Sequence, residues 1–244
     1  MNLSNAQLES AQTSKDEDSF LKGVKDCIPT LLGYLSIGFA AGVVEKTSGL
    51  SIIEIALLSL VLYAGSAQFI AAGMIAANSS TTAIIITIFF VNLRHILMSA
   101  ALSPYFRQLS PFKNMLIGTL LTDETFGVAI NRAAQKRSIS EKWMHGLNIT
   151  AWLNWAAANL AGAFFGNWIS DPEKFGLDYA LPAMFIGLLV LSMLGRKKLK
   201  LDVVVAIISV VMAVIVSSMF SSSFGVIAAT LIASTAGMVV EKWK

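Results

Sequence analysis

Two long stretches of this chain, Ile55 to Leu93 and Val203 to Val240, contain no Asp, Glu, Lys or Arg. Each is close to twice the ~20 apolar residues that one helix needs to cross a hydrocarbon core. Each therefore reads as a helical hairpin, the first turning at Asn78-Ser79-Ser80-Thr81-Thr82 and the second at Ser217 to Ser223. Composition agrees, because 55 % of the 244 residues are hydrophobic and only 14 % are charged. That leaves too little polar surface for a soluble domain of this length. The fold class expected is all-α, a polytopic transmembrane helix bundle.

The net charge of +3 comes from basic residues gathered at span ends, so it does not indicate a nucleic-acid partner. A single cysteine, Cys27, excludes an intrachain disulfide and supplies no metal site. No cofactor is implied. The first residues are polar and mixed in charge, as in Lys15-Asp16-Glu17-Asp18. They lack the basic-then-apolar order of a signal peptide and read as a cytoplasmic tail over 1–27.

Eight spans are expected, at about Ile28–Val44, Ile52–Ala77, Thr81–Ala101, Met115–Ala133, His145–Ile169, Tyr179–Leu194, Val203–Ser218 and Ser222–Val240. The count falls to seven if span two is re-entrant. They form one transmembrane domain over 28–240, followed by a cytoplasmic end at 241–244. With the N-terminus inside, thirteen Lys/Arg lie on cytoplasmic segments and four on outer loops, namely Lys46, Arg107, Lys113 and Lys174. The positive-inside rule thus places both termini in the cytoplasm. Span two carries Gly65, Ser66, Gln68 and Gly73. Either a tilted helix packed through small residues or a broken helix lining a cavity accounts for them. Gly38-x-x-x-Gly42 and Gly162-x-x-x-Gly166 read as packing motifs.

Inside this apolar chain sit Arg94 with His95, and Asp123 with Glu124. Full charge at a span centre costs about 2.5–3.5 kcal/mol per residue on insertion scales, so such groups serve a substrate, an ion path or each other. At ~1.5 Å per helical residue, Arg94 and the two acids fall at similar depth on neighbouring spans. Asn92 lies on the Arg94 span, and Trp152, Trp155 and Asn159 follow helical spacing on span five. These residues outline a polar cavity bounded by spans two to five, with spans six to eight as scaffold or partner interface. A static salt bridge locking two helices is the alternative for Arg94. One arginine rarely satisfies two adjacent carboxylates, which point about 100° apart on a helix.

Five motifs then occur in order: Tyr63-Ala-Gly-Ser-Ala-Gln-Phe69, Leu93-Arg-His-Ile-Leu97, Leu121-Thr-Asp-Glu-Thr-Phe126, Trp143-Met-x-Gly146 and Leu181-Pro-Ala-Met-Phe185. Together they resemble the AzlC/YgaZ family, large subunits of bacterial branched-chain amino-acid exporters. The resemblance covers roughly Ile28 to Leu194. It implies export of valine, leucine, isoleucine and analogues across the inner membrane by secondary transport. It also implies a separate, small, hydrophobic AzlD-type partner subunit. Gln68, Arg94, His95, Asp123 and Glu124 fall within these motifs and are the implied functional positions.

A zwitterionic amino acid needs a cation, an anion and an apolar pocket. Arg94 is expected to face its carboxylate, and Asp123 or Glu124 its ammonium or a coupling proton. Gln68, Asn92 and Asn159 are expected to solvate its backbone, with Phe69, Trp152 and Trp155 shaping the side-chain pocket, and Ser66 is a further candidate for substrate binding or proton coupling. A channel, or a transporter for another solute, is the competing class. Enzyme chemistry lacks a nucleophile or metal-ligand cluster in this sequence.

Overall fold

The computed structural model describes residues 17–135, 139–166 and 199–219, with further scattered positions between 168 and 193 and between 232 and 239. The tail before Glu17, half of the sixth expected span, most of the eighth, and residues 241–244 lie outside the described residues. All regular structure among the described residues is helical. The chain divides into two compact units, residues 1–184 and 185–244. Among the described residues, three helices are long and apolar enough to cross a membrane: Phe20–Thr47, Thr81–Phe106 and Leu199–Val216.

Helix α1 (Phe20–Thr47) is opened by Ser19, whose Oγ accepts from the Lys22 backbone N–H at 3.2 Å. It therefore starts ahead of Ile28, within the segment read as a tail. It runs beside and parallel to the 26-residue helix Glu141–Gly166, called α8 below. Gly23 lies against the Trp143 carbonyl at one end, and Gly42 against the Asn159 carbonyl at the other. A Cβ on Gly42 would stand 2.0 Å from Asn159 O, and one on Gly162 2.0 Å from Phe39 O. The two backbones touch, and only glycine permits it. The Gly-x-x-x-Gly motifs are packing motifs in this fold.

The expected second span does not continue in one direction. Helix α2 (Ile52–Leu57) is started by a reciprocal Ser51/Glu54 capping box and runs on as a π-helical turn over Leu58–Leu62. Tyr63 then takes a left-handed conformation, φ 44°, and α3 (Gly65–Ala76) follows. Gln68 donates to Ser59 Oγ at 3.3 Å and to Glu45 Oε1 at 2.9 Å. In a continuous helix Ser59 and Gln68 would be roughly 13 Å apart along the axis. The chain therefore folds back at Tyr63, and α2 and α3 form a hairpin whose open end lies at the Thr47 end of α1.

The expected third span is nearly continuous. Helices α4 (Thr81–Asn92) and α5 (Arg94–Leu102) are separated by a tightened turn at Leu93, and a 3₁₀ turn follows at Ser103–Phe106. No residue of α4 is buried.

The expected fourth span is a second hairpin, which corrects the single helix read over Met115–Ala133. Helix α6 (Pro111–Thr119) starts with a Ser110 cap and a proline in its first turn. Lys113 pairs with Glu141, the first residue of α8, at 2.8 Å. Helix α7 (Asp123–Gln135) then returns to the same end. There Arg132 stacks on the Trp143 ring at 4.5 Å and pairs with Asp18 at 3.0 Å and Asp26 at 3.4 Å. Lys113 and Arg132 would be roughly 28 Å apart in one straight helix. Hydropathy carries no direction along the chain, so it cannot register such a reversal. The second unit contains α9 (Leu199–Met219), which carries Lys200 and Asp202 in its first turn and no charge beyond it.

Candidate functional site

The two hairpins enter from opposite ends of the α1–α8 pair, and their tips meet beside Tyr34, halfway along α1. Tyr34, Tyr63, Ala64, Gly65, Arg94, His95, Thr122, Asp123, Glu124 and Trp155 line one small cavity there.

Arg94, the first residue of α5, joins the tips. Its Nη2 donates to Ser66 Oγ at 2.7 Å, and its Nη1 pairs with Asp123 Oδ2 at 2.7 Å. One guanidinium thus touches the first turn of α3 and the first turn of α7. Each turn is the N-terminal end of a half-helix, where backbone N–H groups and the helix dipole favour negative charge. The two ends are furnished differently. Helix α3 has no side-chain cap, since its capping position is Ala64. Helix α7 is closed by a reciprocal pair, Thr122 N donating to Thr125 Oγ1 at 2.9 Å and Thr125 N to Thr122 Oγ1 at 3.4 Å. It also carries both acids in its first turn.

Glu124 does not share the arginine. Its Oε2 accepts from the Tyr34 hydroxyl at 2.8 Å, and that hydroxyl also contacts Thr122 Oγ1. His95 lines the cavity, and its Nε2 is buried without a hydrogen-bond partner among the described residues. Trp155 packs edge-on against Tyr34, with ring centroids 5.3 Å apart. A Cβ on Gly65 would come within 2.9 Å of the Trp155 ring, so the hairpin tip rests on the indole.

The remaining expected site residues fall elsewhere. Ser66 reaches the cavity through Arg94. Gln68 and Asn159, both fully buried, belong to a separate polar cluster with Glu45 and Ser59. Trp152 does not line the cavity; its Nε1 donates to Leu60 O at 3.1 Å and pins the first hairpin to α8. Asn92 ends α4 with its Oδ1 buried, outside the cavity lining. Phe69 is core rather than lining. Sequence reading missed Tyr34, Tyr63, Thr122 and Glu45. The first three are uncharged, and Glu45 stands beside Lys46 at a span edge, where a charged pair looks like an interface.

A helical membrane protein built around broken half-helices is the class these features define. The AzlC protein family profile matches residues 29–169, and the chain belongs to that family. It is 28 % identical over 238 residues to the inner membrane protein YgaZ of Escherichia coli K12, covering 96 % of this chain and 95 % of that one. It is 30 % identical over 226 residues to an uncharacterized membrane protein of Archaeoglobus fulgidus, covering 92 % and 94 %. It is 29 % identical over 174 residues to the branched-chain amino acid transport protein AzlC of Bacillus subtilis 168, covering 70 % and 66 %. No solved structure gives a significant match to this chain.

Proposed function

We propose that this chain is the large subunit of a proton-driven exporter of branched-chain amino acids, valine among them. The observation that carries the proposal is the pair of opposed half-helix ends joined by Arg94. An uncapped α3 end next to a guanidinium suits the substrate carboxylate. An α7 end carrying Asp123 and Glu124 suits the ammonium. Tyr34, Tyr63 and Trp155 supply apolar walls for a branched side chain. Half-helix termini converging at mid-depth, with irregular backbone lining a cavity, are a recurring way for transporters to hold a charged substrate.

The hairpins also sharpen the orientation. With both re-entrant, Arg107 and Lys113 move to the side of the N-terminal tail and the Arg132–Lys142 segment. Of the four basic residues first assigned to outer loops, Lys46 and Lys174 stay opposite, a steeper bias than eight simple crossings give. The tail then faces the cytoplasm of a bacterial inner membrane. The apolar, unburied α4, with Ile85, Ile86, Phe89 and Phe90 exposed, offers a surface to lipid or to the small AzlD-type subunit.

The test is efflux of labelled valine from preloaded vesicles containing this chain with and without the small subunit, with a protonophore as control. Efflux that needs both chains and falls with the proton gradient is expected. Absence of valine efflux from correctly inserted protein overturns the substrate assignment. Efflux indifferent to the protonophore, and linear in substrate, favours a channel.

A further inference from the structure

Eighteen residues before the arginine cavity's Tyr63-to-Phe69 motif begins, α1 buries a carboxylate that the substrate reading does not use. Glu45 is fully buried, two residues before the end of α1. Its Oε1 accepts from Gln68 Nε2 at 2.9 Å, and its Oε2 is buried with no hydrogen-bond partner among the described residues.

The groups around it are rich in acceptors and short of donors. Gln68 Nε2 has two hydrogens and three acceptors within reach: Glu45 Oε1, Ser59 Oγ and Asn159 Oδ1, the last two at 3.3 Å. The Ser59 hydroxyl donates to Ile55 O at 2.8 Å, and Asn159 Nδ2 to Trp155 O at 3.1 Å. Neither of those donors points at Oε2. Charged neighbours are also directed away. Lys46 Nζ reaches Leu50 O at 3.4 Å, and Glu54 of α2 caps the Ser51 N–H at 2.7 Å. The π-helical turn and α3 carry no acid, base or histidine; Tyr63, at the tip between them, belongs to the arginine cavity. Those of α8 are Glu141, Lys142 and His145, at its opposite end. An uncompensated carboxylate in such a place is costly, and one proton on Oε2 both removes the charge and adds the missing donor.

We propose that Glu45 is a proton-binding site of the transport cycle, distinct from the Arg94 cavity. The proposal rests on the transport reading above. A proton from the aqueous face at the Thr47 end of α1 forms an O–H bond at Oε2; in each export cycle that bond breaks and the proton is released to the opposite face. No electrons change hands. With the tail in the cytoplasm this face is the outer one, from which the coupling proton enters.

A short chain of contacts links the acid to the substrate site. Gln68 Nε2 holds Glu45, and Gln68 Oε1 accepts from Trp155 Nε1 at 2.7 Å. Trp155 lines the arginine cavity and supports the hairpin tip at Gly65. A neutral Glu45 holds the Gln68 amide less strongly than a carboxylate does. Protonation therefore loosens the tie between the hairpin and the α1–α8 pair.

The experiment uses the full chain with its small subunit in proteoliposomes, comparing wild type with Glu45→Gln and Glu45→Asp. Wild type is expected to move valine uphill when a pH gradient is imposed. Glu45→Gln is expected to lose that uphill movement on the order of tenfold or more, yet still exchange valine for valine in counterflow. Glu45→Asp, which keeps an acid, should recover part of the uphill movement. Infrared difference spectra should show a protonated-carboxyl band that Glu45→Gln removes, a readout independent of transport. Uphill transport by Glu45→Gln equal to wild type, or a wild-type carboxyl band unaltered by the substitution, overturns the proposal. Uphill transport driven by sodium instead of protons overturns it too. Failure of wild type to move valine at all strikes the transport reading, and the infrared band then decides Glu45 alone.

Discussion

The two hairpins are alike in shape and opposite in chemistry. Both reverse at mid-depth, both start their second limb in the cavity, and both limbs touch Arg94. Yet the α3 end is bare and neutral, whereas the α7 end is capped and carries two acids. The difference gives one cavity two poles. A single-pole site would suit a simple anion or cation; two poles a few ångströms apart suit a zwitterion.

The strongest way to break that comparison is to remove the group both poles share. Arg94→Ala should abolish valine efflux and also lower stability by about 3–5 kcal/mol, because Asp123 is left without its partner. The double variant Arg94→Ala, Asp123→Ala should recover folded yield, read by monodisperse elution and thermal melting, but not efflux. Efflux in the double variant would make the ion pair a structural lock.

Next in size is a contrast of glycines. Gly162→Leu drives a side chain into the Phe39 carbonyl, so the chain should fail to accumulate or should melt markedly lower; overpacking alone costs about 1–3 kcal/mol and backbone contact costs more. Gly73→Ala, with nothing within 4 Å of its Cβ position, should melt as wild type does. Equal behaviour of the two would deny that α1 and α8 form the rigid frame.

Gly65→Ala probes the uncapped pole. Its methyl meets the Trp155 ring at 2.9 Å, and the indole tip must move. Affinity for valine should fall by about tenfold, some 1.4 kcal/mol, with melting little changed. Unaltered affinity would remove the first hairpin tip from substrate binding. The smallest effect belongs to Tyr34→Phe, which deletes the hydroxyl on Glu124 and Thr122. It should cost about 0.5–1.5 kcal/mol and shift the pH profile of efflux while transport continues. An unchanged profile would uncouple Glu124 from the transport cycle.

Arg94 and Asp123 were legible in the sequence because charge in an apolar segment needs a partner, and their depths matched; the pair is there at 2.7 Å. The path of the backbone was not legible. Ile55 to Leu93 reads as two crossings, but it contains most of a hairpin and more than half of a crossing. Hydropathy has magnitude without direction, and the reversal depends on a π-helical turn and the left-handed Tyr63. Trp152 and Trp155 share a face by spacing. Hairpin one separates them, taking Trp152 to its own Leu60 carbonyl and leaving Trp155 to the cavity. Gln68 was legible as polar and buried, but its partner Glu45 was hidden by Lys46.

Accessibility of single cysteines tests the hairpins most directly. In a Cys27→Ser background, Ser79→Cys and Gln108→Cys would be challenged with a membrane-impermeant thiol reagent from each side. The hairpin fold places Gln108 on the side of the N-terminal tail and Ser79 on the opposite side. Labelling in that pattern supports the account; the reverse pattern is what eight simple crossings require, and it would contradict the fold on which the site depends.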